Sequence, residues 1–152
     1  MPEEGLTLRP VTADSPLPDA SEAGDFAPEI AKLREAAPPP PWCSYLAYER
    51  DRAVGLGGFK GPLAADGEVE IGYLTFASHQ GRGIASALAR ELVALARQHG
   101  ASAVTAHTMP EANASTRVLE RNGFVRDGWG EDDDVGAVWR WRLRLEDTVP
   151  GQ

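Results

Sequence analysis

Along the chain, apolar and polar positions fall into short alternating stretches interrupted by three helical ones. Residues 5–11 alternate Leu6, Leu8 and Pro10 against Thr7 and Arg9, the period of a strand with one inward face. Residues 27–37 carry a short helical pattern through Ile30 and Leu33, and the prolines at 38–41 end it and return the chain to extended geometry. Residues 42–48 and 53–59 read as two strands joined at Glu49-Arg50-Asp51-Arg52, a hairpin. After the turn signal Ala64-Ala65-Asp66-Gly67, residues 67–76 continue the meander, with Val69, Ile71 and Tyr73 set against Glu68, Glu70 and Gly72.

The clearest helix spans residues 83–98, where Ile84, Leu88, Leu92 and Leu95 share one face and Gly100 supplies the stop. Residues 102–107 form a short strand. Residues 113–122 form another helix with Val118 and Leu119 inward, closed by Gly123, with Phe124 packing back on the last turn. Residues 135–145 set Trp139, Trp141, Leu143 and Leu145 against Arg140, Arg142 and Arg144, which reads as the exposed face of a one-sided final strand. The acidic residues 131–134 read as the solvated loop between the last two strands, placed to attract a cation if they rim a cleft. This order implies an α/β fold of the α+β type: a mixed, mostly antiparallel sheet flanked by helices, with residues 1–152 as one domain without repeats or linkers.

Bulk properties narrow the classes. A chain of 152 residues buries roughly two-thirds of its unfolded surface around one core. With 42% hydrophobic and 25% charged residues it is globular, and its apolar stretches are too short to span a membrane. The start lacks a basic segment followed by an apolar run, so the cytoplasm is the expected compartment. The lone Cys43 excludes an internal disulfide and a cysteine metal cage, and beside Trp42 it reads as a small core hydrophobe. His79 and His99 read as surface residues flanking helix termini, and with His107 they make no metal-ligand spacing, so no metal is expected. A net charge of −8 disfavours a nucleic-acid partner and suits a cationic one. The tryptophans read as core or interface residues, and the final strand offers a surface for a homodimer.

The most informative segment is Gln80-Gly-Arg-Gly-Ile-Ala85, between a strand and the long amphipathic helix. A helix N-terminus presents backbone N–H groups without intrahelical partners and about half a positive charge, which suits a pyrophosphate. Gly81 and Gly83 remove side chains that would hold a phosphate off, and Arg82 adds a charge-assisted donor. Two glycines also make a plain tight turn. A dinucleotide fold is a poorer match, because Gly81-Arg-Gly83-Ile-Ala-Ser86 lacks the third glycine and antiparallel strands precede it.

Gln80-x-x-Gly83-x-Ala85 resembles the Q/R-x-x-G-x-G/A signature of the GNAT superfamily of N-acetyltransferases. Glu70-Ile-Gly-Tyr73, Ala106-x-Thr108, Asn113-x-Ser115 and Val118-Leu-Glu-Arg-Asn-Gly-Phe124 are similar to its RimJ/RimL-like branch, over about residues 66–128. The resemblance implies a sheet that splays open at its centre, with acetyl-CoA in the cleft. Its pantetheine would pair with the backbone at Leu74, Thr75 and Phe76, and its pyrophosphate would rest on the turn Gln80, Gly81, Arg82, Gly83, Ile84, Ala85 and Ser86. Ser78 stands where many relatives have proline.

Acetyl transfer to an amine needs a neutral amine, a polarised thioester carbonyl and a departing thiolate that is protonated. Deprotonating a lysine-like acceptor at pH 7.4 costs about 4 kcal/mol, an α-amine below about 1. Glu70, on the strand leading to the turn, resembles the family's base, with Glu68 on the same face as the alternative. Asn113 and Ser115 resemble the Asn-x-Ser that approaches pantetheine and sulfur, though Asn is also a good helix cap. The tyrosine acid usual in many relatives is replaced by Leu119, which leaves Ser115 as the nearest hydroxyl. The function implied is direct acetyl transfer from acetyl-CoA to a primary amine, a protein N-terminus or a small molecule. A non-catalytic acyl-CoA-binding or protein-interaction module of the same fold is the alternative.

Overall fold

Backbone hydrogen bonding in a computed structural model, which describes residues 6–15, 23–35, 38–76, 79–81 and 83–145, gathers seven strands into one sheet. In chain order they are β1 (Thr7–Pro10), β2 (Ser44–Glu49), β3 (Arg52–Phe59), β4 (Glu68–Thr75), β5 (Ala103–Thr108), β6 (Val125–Asp132) and β7 (Gly136–Arg144), and the spatial order is β1-β2-β3-β4-β5-β7-β6. Only β4 and β5 run parallel, so the sheet is mixed and mostly antiparallel as the hydrophobic pattern implies. Three α-helices accompany it among the described residues: α1 (Ala27–Glu35), α2 (Ile84–Gln98) and α3 (Ala114–Arg121), with a 3-10 turn at Gly24–Phe26 before α1. None of the described helices is long and apolar enough to cross a membrane.

Strand alternation explains why helices cover both faces. Leu46 and Leu56, opposite one another on β2 and β3, join Val11, Ile30 of α1 and Phe76 in one buried cluster. The intervening residues of β3 face the other way. There Gly57 lets Leu88 and Leu92 of α2 approach so closely that an added Cβ would lie 3.3 and 3.1 Å from their methyl groups. Leu88 and Leu92 are fully buried, contributing about 1.5–3 kcal/mol each, and Val69, Ile71, Val104, Leu119 and Trp141 continue this larger core. Cys43 also lies in it, as a core hydrophobe whose thiol pKa burial raises.

The ends of α2 and α3 follow their sequences. Phe124 N–H donates to Leu119 O (3.0 Å) and Gly123 N–H to Glu120 O (3.0 Å), the closing pair of a Schellman turn, and the Phe124 ring is buried. Three readings need correction. Residues 131–134 are not all loop: β6 includes Glu131 and Asp132. That strand is almost wholly exposed, so it carries no inward stripe, and its ladder to β7 holds it instead. His79 is buried rather than superficial, because the turn after β4 folds back, with His79 N–H donating to Phe76 O (2.8 Å). Finally, Arg140 and Arg142 are not simply an exposed face, since both bind Glu68. Residues 36–37, the end of the first expected helix, lie outside the described residues.

Candidate active site

The parallel ladder between β4 and β5 is short. It pairs Glu68 with Ala103, Val69 with Val104 and Glu70 with Thr105, and then stops, while β4 continues to Thr75 against β3 alone. The sheet therefore opens at Glu70. Along β4 the hydrogen bonds to β3 fall on alternate residues: Glu70 O accepts from Lys60 N–H (2.9 Å) and Phe76 N–H donates to Val54 O (2.9 Å). By the same alternation the backbone of Leu74 is committed to β3, and the backbones of Tyr73 and Thr75 point into the gap. Of the three residues expected to pair with pantetheine, only Thr75, whose carbonyl already accepts from Gln80 Nε2 (3.3 Å), thus turns its main chain toward the gap. Leu74 and Phe76 do not, and the Phe76 ring is fully buried in the α1 cluster. Tyr73, which the sequence reading left out, turns its main chain into the gap by the same alternation.

Two buried side-chain oxygens on this stretch make no hydrogen bond of regular geometry, the Tyr73 hydroxyl and Thr75 Oγ1. Buried hydroxyls are normally satisfied, so each of these can still take a hydrogen-bond partner. The next feature follows directly. Gln80 Nε2 donates to Thr75 O (3.3 Å), tying the turn to the strand end. Gly81 and Gly83 take φ of +82° and +81°, a left-handed backbone that favours glycine, and neither meets another atom within 4 Å of an added Cβ. Gly83 is the N-cap of α2, and the first helical bond runs from Ala87 N–H to Gly83 O (3.1 Å). The amides of Ile84, Ala85 and Ser86 consequently face forward without helical partners. An extended thiol carrying a pyrophosphate fits this arrangement, with an unpaired strand edge for its arm and a helix N-terminus for its phosphates. Arg82 lies outside the described residues, as does Ser78.

Ser86 and Asn113 have local work as well. Asn122, the C-cap of α3, donates from Nδ2 to Ser86 O (3.2 Å) and Ser86 Oγ (3.4 Å), which fixes the spacing of the two helices beside the gap. Asn113 caps α3: its Oδ1 accepts from Thr116 N–H (3.0 Å) and its own N–H donates to Thr116 Oγ1 (3.0 Å). Thr116 completes that box, leaving the Ser115 hydroxyl outside it. Ser115 instead acts on Tyr73, lowering a phenol pKa that burial, the larger effect, raises.

On the opposite face of the sheet, where the ladder ends, stands Glu70. His107 Nδ1 lies 3.1 Å and Lys60 Nζ 3.4 Å from its Oε2. Gly130 of β6 gives the imidazole room, since an added Cβ there would fall 2.5 Å from Nε2. Glu68 behaves differently. It accepts from Arg142 Nε (2.9 Å) and Arg140 Nη2 (3.1 Å), and its side chain is 15% exposed against 27% for Glu70. Asp132 overlooks the same face. Its Oδ1 accepts from the backbone of Asp134 (2.8 Å) and Val135 (3.2 Å), which lowers its pKa, with smaller contributions from Lys60 and His107. No group of three or more His, Cys, Asp or Glu that could hold a metal occurs among the described residues.

A family model described as an acetyltransferase (GNAT) domain matches residues 9–125. No curated protein sequence matches. Among solved structures, RimL, a ribosomal L7/L12 alpha-N-protein acetyltransferase in complex with coenzyme A, aligns with a TM-score of 0.61 and 21% identity over 68% of this chain and 62% of its own. RimJ of Mycobacterium smegmatis, in complex with a CoA disulfide, gives 0.61 and 20% over 67% and 52%. An aminoglycoside acetyltransferase, AAC(6')-Ib, in complex with coenzyme A gives 0.70 and 21% over 92% and 95%. The alignment thus takes in less than two thirds of RimL and RimJ but nearly all of the aminoglycoside enzyme, and at these identities the likeness is one of fold.

Proposed function

The chain belongs to the GNAT acetyltransferase family, and from that premise we propose that it moves an acetyl group from acetyl-CoA directly to a primary amine, with Glu70 as general base. The observation that carries the reading is the end of the β4–β5 ladder at Glu70, beside the forward-facing amides of α2. The pantetheine arm pairs with the main chain of Tyr73 and Thr75. The pyrophosphate lies on the amides of Ile84, Ala85 and Ser86 at the mouth formed by Gly81 and Gly83, with Gln80 holding that mouth to Thr75 and Arg82 adding charge. Asn113 contributes chiefly by fixing the start of α3, which presents Ser115.

The chemistry divides between the two faces of the sheet. The acceptor arrives on the Glu70 face, where Asp132 favours a cationic amine. Glu70, held by His107 and Lys60, takes the proton that the ammonium must lose. The nitrogen lone pair then attacks the thioester carbonyl, the carbon–nitrogen bond forms and the carbon–sulfur bond breaks with its electron pair on sulfur. Glu68 is tied to two arginines and takes no part. The acceptor is a protein N-terminus or a small-molecule amine.

Titration calorimetry with acetyl-CoA, followed by a thiol-release screen over peptide N-termini, polyamines and aminoglycosides, tests the proposal. Binding together with amine-dependent thiol release is the expected result. Binding without release from any amine would instead favour a non-catalytic acyl-CoA-binding module, and absence of binding would remove both readings.

A further inference from the structure

Lys60 follows β3 and stands opposite Glu70 in the continued β3–β4 register, its N–H donating to Glu70 O (2.9 Å). Directly opposite residues share a face, so the lysine chain lies on the side of the sheet that carries the Glu70 carboxylate. Gly72 decides its course. An added Cβ there would lie 3.2 Å from Lys60 Cε and 3.9 Å from Nζ, so the bare glycine lets the chain lean along β4 toward the open end. The ammonium ends 3.4 Å from Glu70 Oε2, the oxygen that His107 approaches from β5 to 3.1 Å, two residues beyond the last pair of the ladder. An amine of the chain itself thus occupies the opening beside the carboxylate, which is the place an acceptor ammonium must take.

The residue type is informative. The chain has two lysines, Lys32 and Lys60, and arginine fills every other of its fifteen Lys and Arg positions. Arginine serves an ion pair at least as well, whereas the lysine ammonium can lose its proton and become a nucleophile. The Lys60 side chain is 55% exposed, so it can leave the ion pair without disturbing the core. The reactive end of a bound thioester comes to the same place. With its phosphates at the start of α2, which Gln80 ties to Thr75, an arm running along Thr75 and Tyr73 reaches the level of Gly72 before the β4–β5 ladder closes the gap at Glu70.

We propose that Lys60 is an acceptor of its own enzyme: the bound acetyl group passes to Lys60 Nζ within one molecule. The inference rests on the acetyl-transfer reading and names an acceptor amine for it. In the step, the Lys60 ammonium gives one proton to Glu70, and the nitrogen lone pair attacks the thioester carbonyl. The carbon–nitrogen bond forms, the carbon–sulfur electron pair passes to sulfur, and the second nitrogen proton ends on sulfur as the free thiol. The products are an acetylated lysine at position 60 and coenzyme A. Holding the amine beside both base and thioester makes the reaction unimolecular, which favours Lys60 over any amine that must first collide. Acetylation removes the ammonium and with it the ion pair to Glu70, so the reaction runs once per molecule.

Incubation of the full chain with acetyl-CoA, followed by intact mass measurement and peptide mapping, tests the inference. An acetyl group should appear on Lys60 at least about tenfold faster than on Lys32, which is exposed on α1 and reports plain chemical acylation by the thioester. The rate per molecule should stay the same over about a tenfold range of protein concentration, as an intramolecular step requires. Glu70→Gln should slow labelling of Lys60 about 10²-fold at neutral pH and leave Lys32 unchanged. Lys60→Arg keeps a positive charge beside Glu70 and should lose the label, while binding acetyl-CoA within about twofold of wild type by calorimetry. Equal labelling of both lysines, or a rate per molecule that rises with protein concentration, would overturn the inference. An unlabelled Lys60 in protein that acetylates an added amine would overturn it and leave the transfer reading standing. Protein that binds acetyl-CoA but shows neither label nor amine-dependent thiol release would sink both. Label on Lys60 without turnover of any added amine would support the inference, with the chain itself as the acceptor.

Discussion

Two glutamates on one face of β4 are given different work by what surrounds them. Glu68 meets two guanidinium groups and is largely covered, whereas Glu70 meets one imidazole and one exposed ammonium where the sheet opens. Both Glu68 oxygens are engaged, Oε1 by Arg140 and Oε2 by Arg142, which leaves no open carboxylate oxygen for an acceptor amine to approach. Glu70→Gln should therefore lower kcat/KM for a lysine-like acceptor by roughly 10²- to 10⁴-fold at neutral pH, with partial recovery where the amine is already neutral. For an α-amine the loss should be smaller. Retention of the wild-type pH–rate profile on a confirmed substrate would exclude Glu70 as base. Other titrating groups bear on the fold. Burial raises the pKa values of Cys43, Tyr45 and Tyr73, so the unfolded chain releases these protons at lower pH than the folded one. Their contribution is intact below the ordinary thiol value of 9.0 and is lost as pH climbs through the raised values. Melting temperature should decline from about pH 9 upward, and a flat profile to pH 11 would contradict this.

At the scale of elements, α2 decides whether the proposed phosphate site exists. Gly83→Val is an ambiguous probe, since at φ +81° a β-branched residue strains the backbone as well as closing the mouth. Ala85→Asp separates the two effects. A carboxylate in the first turn suits the helix dipole and should leave Tm unchanged or higher, yet it sets negative charge against the pyrophosphate. Acetyl-CoA affinity should fall at least about tenfold by calorimetry, that is by about 1.4 kcal/mol or more; unchanged affinity would remove the helix N-terminus from the site. The helices were legible in the sequence because their signals are local: a buried stripe in α2, a cap at Asn113, a glycine stop and a returning phenylalanine. The bounds of β6 were illegible for the opposite reason, since an exposed edge strand, implied only by the acidic loop before the last strand, is specified by its partner rather than by a stripe of its own. The arginine grip on Glu68 spans more than 70 positions and has no local signature at all. Tyr73 was visible as a strand residue, but its role emerged only from the ladder that ends three residues before it.

The whole molecule is two half-sheets, β1 to β4 and β5 to β7, joined by three residue pairs and held apart beyond them. Glu68 reinforces that joint from β4 by binding Arg140 and Arg142 of β7, and Asn122 with Ser86 couples α3 to α2 across the other face. Glu68→Gln should weaken the joint without touching the chemistry. Because the arginine side chains are 35% exposed, solvent screening limits the loss to about 1–2 kcal/mol, below the cost of breaking a fully buried pair. For a chain of this size that is a fall of roughly 3–8 °C in Tm. Acetyl-CoA, bound to β4, α2 and the start of α3, should work in the other direction and stabilise by about 2.7 kcal/mol at a hundredfold excess over Kd. The Glu68→Gln variant should therefore melt low when free and rise by the same increment as wild type when loaded, keeping its gap to loaded wild type, with kcat at saturating acetyl-CoA within about twofold of wild type. Thermal melts with and without acetyl-CoA, run beside kinetics of Glu70→Gln, make the comparison. If Glu68→Gln instead lost activity at unchanged Tm while Glu70→Gln lost stability alone, the two carboxylates would have to exchange roles, and the base would lie inside the joint rather than at its open end.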